Sequence, residues 1–177
     1  MKLKFKIQQY QTDAVESVIN VFKGQPNQAN LEYRMDKGKL YVVDSKKHDI
    51  KIVQTDVFAD SDDAGNNLGY KNNRLAIDKV ALFDNIRQIQ TENNIHQDEE
   101  LCQKLGACQL DVEMETGTGK TYVYIKTMFE LNKQYGWTKF IVVVPSIAIR
   151  EGVKKSFDIT VDHFMEQYGK KARYFIY

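Results

Sequence analysis

The chain has 177 residues, a formal net charge of +1 and a pI near 7.7. That length suits one domain burying roughly 70% of its unfolded surface, and the near-neutral balance excludes a global basic field, so a nucleic-acid partner would have to be held by a local patch. The opening MKLKFKIQQY is too polar for a signal peptide, and no apolar run approaches the ~18 residues of a membrane span. Cys102 and Cys108 fit neither a CxxC pair nor a disulfide framework, so the expected setting is reduced and cytoplasmic, with no membrane.

Residues 8–22 read as an amphipathic helix, with Tyr10, Ala14, Val18 and Phe22 near a 3.6-residue period, and Gly24-Gln25-Pro26-Asn27 breaks it. A strand-rich stretch follows: 31–35, a turn at Asp36-Lys37-Gly38, 40–43, and then 50–53 after another polar turn, as a hairpin or small meander. Residues 60–73 form a polar loop rich in Asp, Asn and Gly. Leu82, Phe83, Ile86 and Ile89 mark a helix over 77–93, and a short helical piece over 99–105 follows. Leu110, Val112 and Met114 alternate with Asp111 and Glu113, as in a strand. Residues 122–135 are a helix-length apolar stretch closed by Gly136. Phe140-Ile141-Val142-Val143-Val144 is a continuous run ended by Pro145, typical of a parallel strand buried on both faces. Residues 147–157 and 161–168 read as helices, and 174–177 begin another strand. From about Leu110 onward strand and helix alternate, which predicts an α/β chain with a doubly wound, mostly parallel sheet.

Between the strand at 110–114 and the helix at 122–135 lies Met114-Glu115-Thr116-Gly117-Thr118-Gly119-Lys120-Thr121. Gly117 and Gly119 flank a small hydroxyl residue, so the backbone can curl tightly and aim N–H groups at an anion. Lys120 supplies a positive charge for β and γ phosphates, and Thr121 a hydroxyl for the magnesium ion they carry. The strict pattern has glycine where this chain has Met114. The strand–loop–helix context compensates, because a helix N-terminus adds partial positive charge at the phosphate. These residues predict a nucleotide site.

Other candidates are weaker. Asp60-Ser61-Asp62-Asp63-Ala64-Gly65 has the outline of a calcium loop, but Ala64 and Lys71 stand where ligands belong, so a solvated acidic loop is the better reading. His48, His96 and His163 show no metal-ligand spacing. Ser146 and Arg150 follow the apolar run at 140–144, where α/β sheets place ligands; a phosphate contact and a plain strand-to-helix connection are both open. Lys154, Lys155, Lys170, Lys171 and Arg173 form a modest basic scatter, read as a solvated face.

Three segments together resemble a known family. Gln8-Gln9-Tyr10-Gln11-Thr12-Asp13-Ala14-Val15 resembles the tyrosine–glutamine element that opens superfamily 2 helicases, Thr116 to Thr121 their motif I, and Phe140 to Gly152 their motif Ia. The loop sequence, with Val-Pro-Ser-Ile-Ala-Ile-Arg-Glu-Gly-Val downstream, is similar to the Res subunit of type III restriction enzymes, closely over 110–157. The resemblance implies the N-terminal part (1–177) of a first RecA-like motor domain, truncated, with 24–107 as an insertion carrying a hairpin or meander and a helix. It implies an ATP-dependent motor on duplex DNA, an endonuclease subunit partnered by a methyltransferase (Mod) subunit, with ATP and Mg2+ as cofactors. Carried over by position, Tyr10 and Gln11 would lie at the adenine, Thr116, Gly117, Thr118, Gly119, Lys120 and Thr121 at the phosphates, and Ser146 and Arg150 at the DNA backbone. Lys120 and Thr121 would be the catalytic pair, with Thr121 on magnesium through the nucleotide. A motor also needs an Asp-Glu motif on an apolar strand; Val161-Asp162-His163 reads as helical and Asp98-Glu99-Glu100 as polar, so the chain by itself is expected to be inactive. A small-molecule P-loop kinase and a non-catalytic nucleotide-binding module are the alternatives.

Overall fold

The computed structural model describes residues 5–27, 31–34, 40–43, 50–53, 68–104 and 106–176. In chain order the elements are α1 (Gln9–Val21), β1 (Leu31–Arg34), β2 (Leu40–Val43), β3 (Ile50–Val53), β4 (Leu68–Lys71), α2 (Lys79–Glu92), α3 (Lys120–Tyr135) and α4 (Ile147–Tyr168). The loop at 60–65 and the turn at 36–38 lie outside the described residues, as do His48 and Leu105.

Helix packing holds the molecule together. The apolar stripe of α1 splits between two partners: Val15 and Ile19 close on Val123, Leu131 and Tyr135 of α3, while Val21 closes on Leu82 and Ile86 of α2. Each such side chain contributes about 1.5–3 kcal/mol on full burial. Phe22 sits at the seam of the two clusters, edge-on to Trp137 at 5.1 Å. The Tyr135 hydroxyl donates to the Ile19 carbonyl at 2.9 Å, so this buried ring leaves no polar atom stranded. The buried residues of α4 lie in its second half, where Phe164 stacks on Phe129 at 4.8 Å. Residues 147–168 form one helix instead of the two expected, because 158–160 hold neither Gly nor Pro; the Thr160 hydroxyl is satisfied within the helix by the Ser156 carbonyl at 2.7 Å.

The expected doubly wound parallel sheet is not what the structure contains. The described strands form two separate two-stranded antiparallel pairs, β1 with β4 and β2 with β3. Residues 110–114, 140–144 and 174–176 belong to no strand. A buried parallel strand needs hydrogen-bonding neighbours and helices on both faces, yet Ile141 and Val143 are 92% and 87% exposed. The β-branched run specifies an extended backbone, and that preference does not supply pairing partners. The RecA-like, mostly parallel reading is therefore replaced by helix-on-helix packing with two antiparallel ribbons. The 99–105 stretch is likewise not helical among its described residues.

Strand β4 returns alongside β1 with Leu31 opposite Lys71 and Arg34 opposite Leu68, while β2 and β3 pair between them in sequence. Both ends of this excursion are pinned near the end of α3. Asn27 Nδ2 donates to the Lys133 carbonyl at 3.1 Å; Asn72 Oδ1 accepts from the N–H groups of Thr138 and Lys139, both at 2.9 Å, and its Nδ2 donates to the Lys139 carbonyl at 2.7 Å. Gln25, buried, performs a similar service for the chain entering α2: its Oε1 accepts from Ala76 N–H at 2.7 Å and Ile77 N–H at 3.3 Å.

Candidate nucleotide-phosphate site

The glycine loop is a tight turn running straight into α3. The Thr118 hydroxyl donates to the Glu115 carbonyl at 2.6 Å and its N–H approaches the same oxygen at 3.4 Å. Gly117 and Gly119 take φ values of +84° and +88°, the left-handed region where a side chain is strained. Helix α3 begins at Lys120, and its N-cap, Gly119, brings no side-chain acceptor. The N–H groups of Lys120, Thr121 and Tyr122 thus lack both an intrahelical acceptor and a side-chain cap, the arrangement that suits an anion. Lys120 is exposed at this end; Thr121 is partly buried.

Helix α1 reaches the loop from the other side. Gln11 Nε2 donates to the Thr118 carbonyl at 2.8 Å, and the Tyr10 hydroxyl approaches the same oxygen at 3.3 Å. A methyl group at Gly119 would lie 2.6 Å from Gln11 Nε2, so any other residue there would strain the backbone and push the Gln11 amide off its hydrogen bond. One residue beyond Gln11, the Thr12 hydroxyl accepts from buried Lys126 of α3 at 3.3 Å. Segments more than a hundred positions apart in sequence therefore meet at one turn.

Two features escaped sequence reasoning. Tyr122, directly after Thr121, hydrogen-bonds His163 Nε2 of α4 at 2.9 Å, and Phe5 and Phe164 pack on the pair. Burial raises the Tyr122 hydroxyl pKa. Burial is also the main cause lowering His163 below 6.5, with Lys126 acting in the same direction and Glu166 opposing. The Tyr122 hydroxyl and His163 Nε2 thus share one hydrogen bond whose direction is set by the imidazole tautomer. No spacing rule joins positions 122 and 163, and none joins Lys126 to Thr12.

Ser146 and Arg150 sit together at the start of α4, and their hydrogen bonds are local. Ser146 Oγ caps the helix by accepting from Ile149 N–H at 3.3 Å; Arg150 pairs with Glu151 at 3.1 Å on the surface. Lys154, Lys155, Lys170, Lys171 and Arg173 are exposed. Among the described residues no cluster of His, Cys, Asp and Glu is placed to hold a metal, and no helix is long and apolar enough to cross a membrane. Cys102 and Cys108 are free thiols, the latter raised in pKa by burial.

Comparison with known proteins bears on what this arrangement serves. The model of the family described as "Type III restriction enzyme, res subunit" matches residues 4–174. The chain is 38% identical over 108 residues to the EcoP15I Res subunit of Escherichia coli, covering 59% of this chain and 11% of that protein. It is 36% identical over 109 residues to the EcoPI Res subunit of Escherichia phage P1, with the same coverage, and 39% identical over 92 residues to the StyLTI Res subunit of Salmonella typhimurium. The chain spans about a tenth of the length of these relatives, 11%, 11% and 9% in turn.

Proposed function

The chain belongs to the type III restriction enzyme Res-subunit family, and from that premise we propose that its glycine loop binds the phosphates of ATP within a DNA-translocating restriction subunit. The observation that carries this reading is the contact between Gln11 and Thr118, which are 107 positions apart. A glutamine amide has two donors and one acceptor. The Thr118 carbonyl takes one donor. The remaining donor and the Oε1 acceptor match the ring-nitrogen acceptor and amino donor on the edge of adenine. One side chain thereby links base selection to the geometry of the loop.

The cradle fits a nucleotide phosphate: two left-handed glycines, a helix start without a side-chain cap, and an exposed lysine at that start. Thr116 to Thr121 would surround the phosphates, with Lys120 opposing their charge and Thr121 turned to the magnesium ion. The bound ion would neutralise charge on the β and γ oxygens. Tyr10 steadies the Thr118 carbonyl beside Gln11.

The same reading gives α4 a role on duplex DNA. The Arg150–Glu151 pair is an exposed ion pair of about 0–1 kcal/mol, so the guanidinium can exchange its partner for a phosphate at little cost. Ser146 accepts through its oxygen as a cap and keeps its own O–H to donate. Such contacts fix position without reading sequence, which leaves recognition to a partner; a methyltransferase (Mod) subunit is the proposed one. The test is titration calorimetry with Lys120→Ala. Loss of one charge-assisted contact costs roughly 1.5–3 kcal/mol, about tenfold or more in ATP affinity, with adenosine little affected. Equal losses for the two ligands would refute the assignment.

A further inference from the structure

Resting on the functional reading above, we propose that His163 is a positioning residue: through the Tyr122 hydroxyl it ties the first turn after the phosphate loop to α4, making nucleotide binding and backbone contact at Ser146 and Arg150 responsive to one another. Tyr122 follows Thr121, the residue proposed to face magnesium, and its hydroxyl meets His163 Nε2 at 2.9 Å. Its ring is stacked on Phe164 at 5.4 Å, and Phe5 lies 4.9 Å from the imidazole. Any rearrangement of the first turn of α3 must therefore either move α4 or break a partly buried hydrogen bond.

Helix α4 is built to pass such a movement on. Its buried residues, Thr160 and Phe164, lie in its second half, and the Tyr168 hydroxyl fixes that half to Glu130 of α3 at 2.7 Å. The first half, from Ile147 onward, has no buried residue. From His163 to Ser146 a rigid helix measures about 26 Å, so a tilt of about 5° at the anchored end displaces Ser146 and Arg150 by ~2 Å. That is enough to make or lose a phosphate contact, which tolerates only a few tenths of an ångström.

The groups facing His163 define what a replacement must retain. Glu166 lies on its own helix, Lys126 and Tyr122 approach from α3, and Phe5 covers the ring. Glutamine can still hydrogen-bond the Tyr122 hydroxyl, as donor or as acceptor; leucine cannot.

The experiment uses the protein at its full natural length. Affinity for a short labelled DNA duplex is measured with and without a non-hydrolysable ATP analogue, and analogue affinity with and without the duplex. Linkage requires both ratios to be the same factor. The native protein should show a factor of about five or more; in Tyr122→Phe and His163→Leu it should collapse towards one, with each ligand alone binding within about threefold of native. His163→Gln should restore at least half of the native factor on a logarithmic scale, an outcome that loss of packing would not give. A native factor of one, or a native-sized factor in Tyr122→Phe, overturns the proposal. Absence of analogue binding by the native protein instead overturns the nucleotide-site reading on which it rests.

Discussion

Replacing Gly119 with alanine tests the loop geometry at its most exacting position. A side chain at φ +88° costs about 1–2 kcal/mol in backbone strain. Its β-carbon would also lie 2.6 Å from Gln11 Nε2. That atom ends a flexible side chain, so Gln11 yields and surrenders its hydrogen bond to Thr118, a further 0.5–1.5 kcal/mol or so. The expected loss is about 1.5–3.5 kcal/mol. Gly117→Ala is the control, because φ is +84° there but the new methyl meets nothing within 4 Å; its cost should stop at about 1–2 kcal/mol. Urea denaturation resolves the difference, since with a slope of about 2 kcal/mol/M the two midpoints separate by roughly 0.5 M. Adding Gln11→Ala to Gly119→Ala should cost almost nothing more, whereas alone it costs one hydrogen bond. Equal losses at the two glycines, or full additivity in the double variant, would refute the claim that Gln11 packs over the loop.

Other expectations follow from the same contacts. Gln25→Ala leaves the N–H groups of Ala76 and Ile77 without their acceptor and should cost about 1–3 kcal/mol in urea denaturation; a loss under about 0.5 kcal/mol would mean that water replaces the amide freely. Phe164→Ala removes the ring on which Phe129 and Tyr122 stack and should cost about 3–5 kcal/mol, with loss of near-ultraviolet dichroism; an unchanged spectrum would contradict the docking of α4. His163 gives a pH signature. Its folded pKa lies below 6.5, so the unfolded chain takes up the proton first. Its contribution is complete above about 6.5 and is lost as pH falls through the lower folded value, so the urea midpoint should decline on acidification below 6.5 and decline less in His163→Gln. Identical slopes for the two proteins would remove His163 from the account.

The helices were legible because their apolar period is local information. The 8–22 and 77–93 readings meet Gln9–Val21 and Lys79–Glu92 within two residues at each end. Pairing was not legible. Leu68-Gly69-Tyr70-Lys71 has too little apolar alternation to announce a strand and becomes one by lying against β1. The run at 140–144 has every local mark of a buried strand and is not one, since burial is conferred by neighbours that composition does not name. At the candidate site, glycine spacing revealed the turn, and Gln11 entered only through the resemblance of 8–15 to the tyrosine–glutamine element. The hydrogen bond that unites them, and the pair formed by Tyr122 and His163, exist through tertiary packing alone.

The β1–β4 pairing, together with the anchors at Asn27 and Asn72, means that the excursion leaves and re-enters the molecule at nearly the same place. Its length is consequently almost uncoupled from the helices. Doubling what lies between β1 and β4 would add only about 0.6 kcal/mol of closure entropy, so lineages could lengthen, shorten or exchange that segment without disturbing the glycine loop. For the protein engineer, a cut that removes Asn72 would strip the Thr138–Lys139 backbone of its partners.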